Sequence, residues 1–180
     1  MKLDRLFLGA NILLILISVA AHEIAAEEHL FLGGMLPFCL VVYGLSLAGR
    51  APAIGDRWAT ILCALAFVVM LARGLSPAQA TGLHLLDVRV PRVGEFLIVF
   101  QAVYLLRRRV TRDYFWMYLV TVVHMGTAGL LMPGFGYAFF FLAYATAAVV
   151  AVALYHVWHQ VERARLNPAE VRVPLTALLA

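Results

Sequence analysis

Ionisable and amide side chains set inside apolar runs are where this sequence could do chemistry, because such groups are costly to bury without a role. Six histidines come first. His22 closes the first apolar run, His124 lies within the fifth, and His156 and His159 share one face near the end of the sixth. A haem held by two histidines needs them at one depth on facing helices, and only His22 with His124 comes near that. The simpler expectation is that His124 hydrogen-bonds inside a bundle, to a hydroxyl such as Thr121 or Thr127. His156 and His159 are expected beside Tyr155 and Trp158 in an interfacial aromatic belt. Glu95 reads in two ways. It is a proton- or cation-binding carboxylate near one face, or an acid in the first turn of a helix, favoured by the helix dipole and paired with Arg92. The second reading is preferred. Asn11 and Gln101 are expected to hydrogen-bond between helices.

Other patterns concern surfaces and assembly. Arg107, Arg108, Arg109 and Arg112 form a basic cluster suited to anionic lipid head groups, at about 1 kcal/mol each. The same charges also set membrane topology. Asp113 is placed to cap the helix that starts at Tyr114, with Tyr114, Trp116 and Tyr118 at the membrane interface. Ala143, Ala147 and Ala151 recur every fourth residue, a small-residue stripe that lets another helix, in this chain or another copy, approach closely. Cys39 and Cys63 sit inside apolar segments and read as packing residues. No GxSxG, HExxH, phosphate-binding loop or CxxC occurs. The residues therefore assign no catalytic group, no metal and no cofactor.

The elements that must hold these residues are set by composition. Of 180 residues, 64% are hydrophobic and 13% charged, and the mean hydropathy is +0.91. Soluble domains run at about 45–50% apolar and about 25% charged. The expected fold is all-α: a polytopic membrane bundle of about six transmembrane helices. They are read at 6–21, 30–48, 58–75, 92–106, 114–132 and 137–158, the last with a polar continuation to 165. Residues 76–91 read as too polar to span, hence interfacial or re-entrant, and the fourth helix reads as short. Residues 133–136 read as a tight turn. Residues 1–165 form the membrane domain. Residues 166–180 are a tail, either frayed or the start of a seventh helix.

Charge sets the orientation. Eleven Lys and Arg fall on one side of a six-span chain and three on the other. The positive-inside rule places the N-terminus and the 107–112 loop in the cytoplasm. The pI near 9.4 thus reflects topology, and nucleic acid is excluded as a partner. No cleavable signal peptide is evident.

The runs Leu105-Leu106-Arg107-Arg108-Arg109 and Arg112-Asp113-Tyr114-Phe115 carry a family likeness. A leucine-rich helix leads into an Arg-Asp cluster. An aromatic-rich helix, a Pro/Gly turn and an Ala-rich helix follow. This order resembles the N-terminal membrane region of bacterial transglutaminase-like membrane proteins of the TgpA type, best from 92 to 154. The proline near the start of 174–180 is similar to that family's segment after the sixth helix. The resemblance implies an inner-membrane domain that anchors an extracytoplasmic transglutaminase-like domain with a Cys-His-Asp triad. No triad residue has a counterpart in this chain. The alternatives are a small transporter or channel using Glu95, Gln101 and 76–91, or a bis-histidine haem protein using His22 and His124.

Overall fold

The structure is a computed structural model that describes residues 2–26, 30–48, 50, 53–74, 85–107, 111–132, 134–166 and 171. Among the described residues it is all-helical, with six helices: α1 (Leu3–Ala25), α2 (Leu30–Leu47), α3 (Asp56–Gly74), α4 (Leu85–Leu106), α5 (Thr111–Leu131) and α6 (Phe135–Arg163).

The central helix is α1. Its Leu- and Ile-rich sequence carries many of the bundle's buried side chains, while Leu13 and Ile24 stay exposed. It packs against α2, α4, α5 and α6, while α3 lies outside, on α4. Lys2 precedes α1 in extended backbone, and Asp4 in the first turn complements the helix dipole. Leu3, Phe7, Leu8, Ile12, Ile15 and Val19 of α1 form the core with Met35 and Cys39 of α2, Ile98 and Leu105 of α4, and Leu154 of α6.

An aromatic cluster closes one end of the bundle. Phe7 meets Trp158 edge-on at 4.5 Å and Tyr114 at 4.5 Å. Tyr114 is buried in the core and Trp158 is half-buried, each packed on the Phe7 ring. Trp116 remains exposed.

The alanine stripe meets neighbours within the chain. Ala147 and Ala151 are buried with Leu14 and Ala21 of α1 and with Met125 and Ala128 of α5. Ala143 is half-buried. It lines an open apolar groove of about 490 Å³ between α1 and α6, with Gly9, Leu13 and Phe139.

Three expectations at helix boundaries are corrected. The fourth helix is not short: α4 has 22 residues and starts at Leu85. Leu85, Leu86, Val88 and Val90 supply apolar residues through much of the segment read as non-helical, and Pro91 is accommodated inside the helix. Residues 75–84 lie outside the described residues. Next, α5 starts at Thr111, so Asp113 falls inside its first turn and is not its cap. Finally, the turn before α6 is tighter than 133–136, since the helix begins at Phe135. Gly134 takes φ +130 there, a conformation that favours glycine.

Three described stretches are long and apolar enough to cross a membrane: Leu3–Ala25, Tyr114–Leu131 and Phe135–Arg163. Gly33–Leu47 and Val93–Leu106 are apolar but shorter over the described residues. The outside of the bundle carries large apolar side chains on α3, α5 and α6, among them Leu65, Val68, Leu130, Phe139, Leu142 and Val149.

Candidate functional site

Seven polar side chains are buried among the described residues: Asn11, Ser18, His22 and Glu23 of α1, Gln101 of α4, and Thr121 and His124 of α5. All come from three adjacent helices. On α1, Asn11, Ser18 and His22 follow one stripe. On α5, Thr121 and His124 share a face with Tyr114 and Met117, which also point inward.

The centre of this group is a histidine pair. The rings of His22 and His124 lie 5.4 Å apart at an interplanar angle of 38°. His124 Nε2 donates to the carbonyl of Gly94 in α4 at 3.2 Å. Thr127 donates its one hydroxyl proton to the His124 carbonyl at 2.8 Å. With that proton committed, the 3.0 Å contact between Thr127 Oγ1 and His22 Nδ1 is donated by the histidine. In a neutral ring these bonds select the Nε2–H tautomer for His124 and the Nδ1–H tautomer for His22. Gly94 makes room for the pair, because a Cβ there would fall on the His22 ring. Its glycine is required by close approach of α4 to α1, not by an unusual backbone angle.

A second junction lies one turn of α5 away. Thr121 donates to the carbonyl of Tyr118 at 2.8 Å, and the Tyr144 hydroxyl of α6 donates to Thr121 Oγ1 at 2.9 Å. The Tyr118 hydroxyl reaches the carbonyl of Ala151 at 3.3 Å. These bonds join α5 to α6, as the histidine pair joins α1, α4 and α5.

The expected polar partners fall out differently. The proposed hydroxyl for His124 is present as Thr127, but it serves His22, and His124 uses a backbone carbonyl. Asn11 was expected to bridge helices. Its Nδ2 donates to Phe7 O in its own helix, at 2.6 Å, and its side chain also hydrogen-bonds the Tyr118 hydroxyl of α5, which makes the expected bridge. Gln101 was expected to do the same, yet neither polar atom of its amide has a partner among the described residues. Glu95 lies in the middle of α4, half-buried, so the first-turn dipole account of it fails with the longer helix. The Arg92 side chain proposed to pair with it lies outside the described residues. His156 contacts Gln160 at 3.2 Å, and His159 stacks on Tyr155.

Arg107 is engaged within the chain. Its Nε donates to Asp56 Oδ1 at 2.9 Å, and its guanidinium lies 5.5 Å from the Tyr104 ring centroid. Nearby, Ile54 N donates to Leu106 O at 2.8 Å, so the start of α3 is tied to the end of α4. Arg108 and Arg109, and the Arg112 side chain, lie outside the described residues.

Sequence reasoning missed Gly94, Ser18 and Glu23. Glu23 lies beyond 6–21, the bounds expected for the first helix. The helix carries on through it to Ala25, which turns it inward. Gly94 carries no signal in a single sequence, since its role depends on which helix lies opposite. No group of three or more His, Cys, Asp or Glu among the described residues is arranged to hold a metal. The chain matches no known family, curated protein or solved structure.

Proposed function

We propose that this chain is a polytopic helical membrane domain of a bacterial inner membrane, with its N-terminus in the cytoplasm. Its task is to anchor and position an extracytoplasmic transglutaminase-like domain. The observation that carries this reading is how the buried polar groups are used. His22, His124, Thr121, Tyr144 and Tyr118 are committed to bonds that tie α1, α4, α5 and α6 together. That is the work of a scaffold. The apolar exterior and the eleven-to-three charge asymmetry support insertion with this orientation. After α6, Val171 O accepts from Leu3 N at 3.0 Å, so the chain returns to the starting end of α1. In the proposed orientation that end is cytoplasmic, and a following extracytoplasmic domain requires one more crossing. Anionic lipid at the Arg108, Arg109 and Arg112 loop belongs to the same reading.

A small transporter is the second reading, favoured by the polar interior with its unpartnered Gln101 amide. Against it, the polar stripe ends below Asn11 on the packed Phe7, Tyr114 and Trp158 rings. A bis-histidine haem has the least support. His124 Nε2 is taken by Gly94, and the Gly94 backbone abuts His22 Nε2.

Two measurements test the proposal. Reporter fusions active only inside or only outside the cytoplasm, inserted at 108–110 and at 133, should report inside and outside respectively. The native reading frame beyond Ala180 should encode Cys, His and Asp in transglutaminase order. A stop codon directly after Ala180 ends the anchor reading, and loss of proton-coupled transport in Glu95→Gln would replace it with the transporter.

A further inference from the structure

Gln101 is wholly buried, and its amide offers two donors and two lone pairs, none of them used among the described residues. Native interiors rarely leave such a group empty-handed; an internal water with two to four polar neighbours is the usual occupant. The register shows what surrounds it. Gly94 faces His124 on α5, and Leu105 shares the core cluster with Tyr114, so α4 runs opposite to α5. Gln101 then falls level with Met117. Gly94 also faces His22 on α1, which brings Gln101 level with Ile15.

Polar atoms border this layer on both helices. Ser18 Oγ donates to Ile15 O at 2.9 Å and keeps lone pairs to accept with. Thr121 stands one turn beyond Met117. Asn11 Oδ1, one turn before Ile15, is itself buried and unpartnered. The side chains of Ile15, Ser18, Ile98 and Met117 carry no charge, which favours a neutral ligand over an ion.

We propose that this layer is a hydration site, in which bound water sits against the Gln101 amide and links α4 to α1 and α5. The site needs only the bundle, and stands whether or not an anchored domain follows.

X-ray radiolytic labelling of the full chain in detergent micelles tests it, because radiolysis of a bound water produces hydroxyl radical in place, and methionine oxidises readily. Met117 and Met35 are about equally buried, at 3% and 4% exposure. Met117 should oxidise several-fold faster than Met35, and Gln101→Leu should remove the excess. The same variant should lower the melting temperature by about 2–4 °C, the shift that a loss on the scale of one hydrogen bond gives a chain of this size. Equal labelling of the two methionines in the unaltered protein overturns the site. So does a higher melting temperature in Gln101→Leu, since an apolar side chain replacing a dry, unpartnered amide stabilises. If Gln101→Leu does not fold, the comparison of Met117 with Met35 in the unaltered protein still decides.

Discussion

The carbonyl of Gly94 accepts from His124, while the space where Gly94 lacks a side chain is filled by His22. One residue of α4 thus serves two helices, one by a hydrogen bond and one by close packing. Gly94→Ala should strike both. The new Cβ would land on the His22 ring, which Thr127 holds in place. Overpacking of this kind costs about 1–3 kcal/mol, and the melting temperature should fall by about 2–4 °C for each. Adding His22→Ser removes the ring and should recover part of the loss. Thermal unfolding of the single and double variants measures this, and a harmless Gly94→Ala would mean that α4 and α1 are further apart.

Thr127 spends one hydroxyl on two histidines. Thr127→Val keeps the shape and removes both bonds, taking away the hydroxyl that faces His22 Nδ1 in a buried site, at about 1–3 kcal/mol. A double-mutant cycle with His22→Leu isolates the pair. The expected coupling is about 0.6 kcal/mol, the average for hydrogen bonds between membrane helices, with about 1.7 as the upper end. Denaturant titration in mixed micelles reads it out. Strict additivity of the two variants would show that the 3.0 Å contact contributes nothing.

The helices were legible in the sequence because apolar runs punctuated by charge and glycine leave few alternatives. The polar interior was legible only in part. Asn11, Gln101 and His124 stood out as polar residues in apolar runs, and they are buried. Their partners were not legible, because a hydrogen bond from His124 to a backbone carbonyl leaves no mark on the residue that accepts it. The start of α4 was missed for a different reason. Pro91 and the scattered polar groups of 76–91 argued against helix, whereas a proline within a packed helix has its freed carbonyl served by neighbours. Glu95 changed its meaning with that boundary.

Burial, not residue type, should govern the cost of removing aromatic rings. Phe7 is 1% exposed and touches three other rings, whereas Phe135 is 98% exposed at the start of α6. Phe7→Ala should cost about 3–5 kcal/mol. Phe135→Ala should stay within about 0.5 kcal/mol, as surface changes do. Parallel unfolding curves in detergent compare them directly. Similar costs for both would mean that Phe135 is covered, or that the aromatic cluster does not hold the end of the bundle.

The Asp56–Arg107 pair joins the start of α3 to the end of α4, and it should be weak despite its 2.9 Å contact. Its two ends differ. The Arg107 side chain is 16% exposed, packed near the Tyr104 ring, whereas Asp56 is 71% exposed and well solvated. Water and salt screen the carboxylate, so a double-mutant cycle of Asp56→Asn with Arg107→Gln should give a coupling below about 1 kcal/mol. At 1 M salt the Debye length shrinks to about 3 Å, and the coupling should vanish. The stem of Arg107 is another matter, since it packs on neighbours irrespective of charge. Arg107→Ala should therefore cost more than Asp56→Ala, and the excess should survive high salt. A coupling above about 2 kcal/mol that persists at 1 M salt would show the pair to be shielded from solvent, and would make the α3–α4 junction electrostatic instead of apolar.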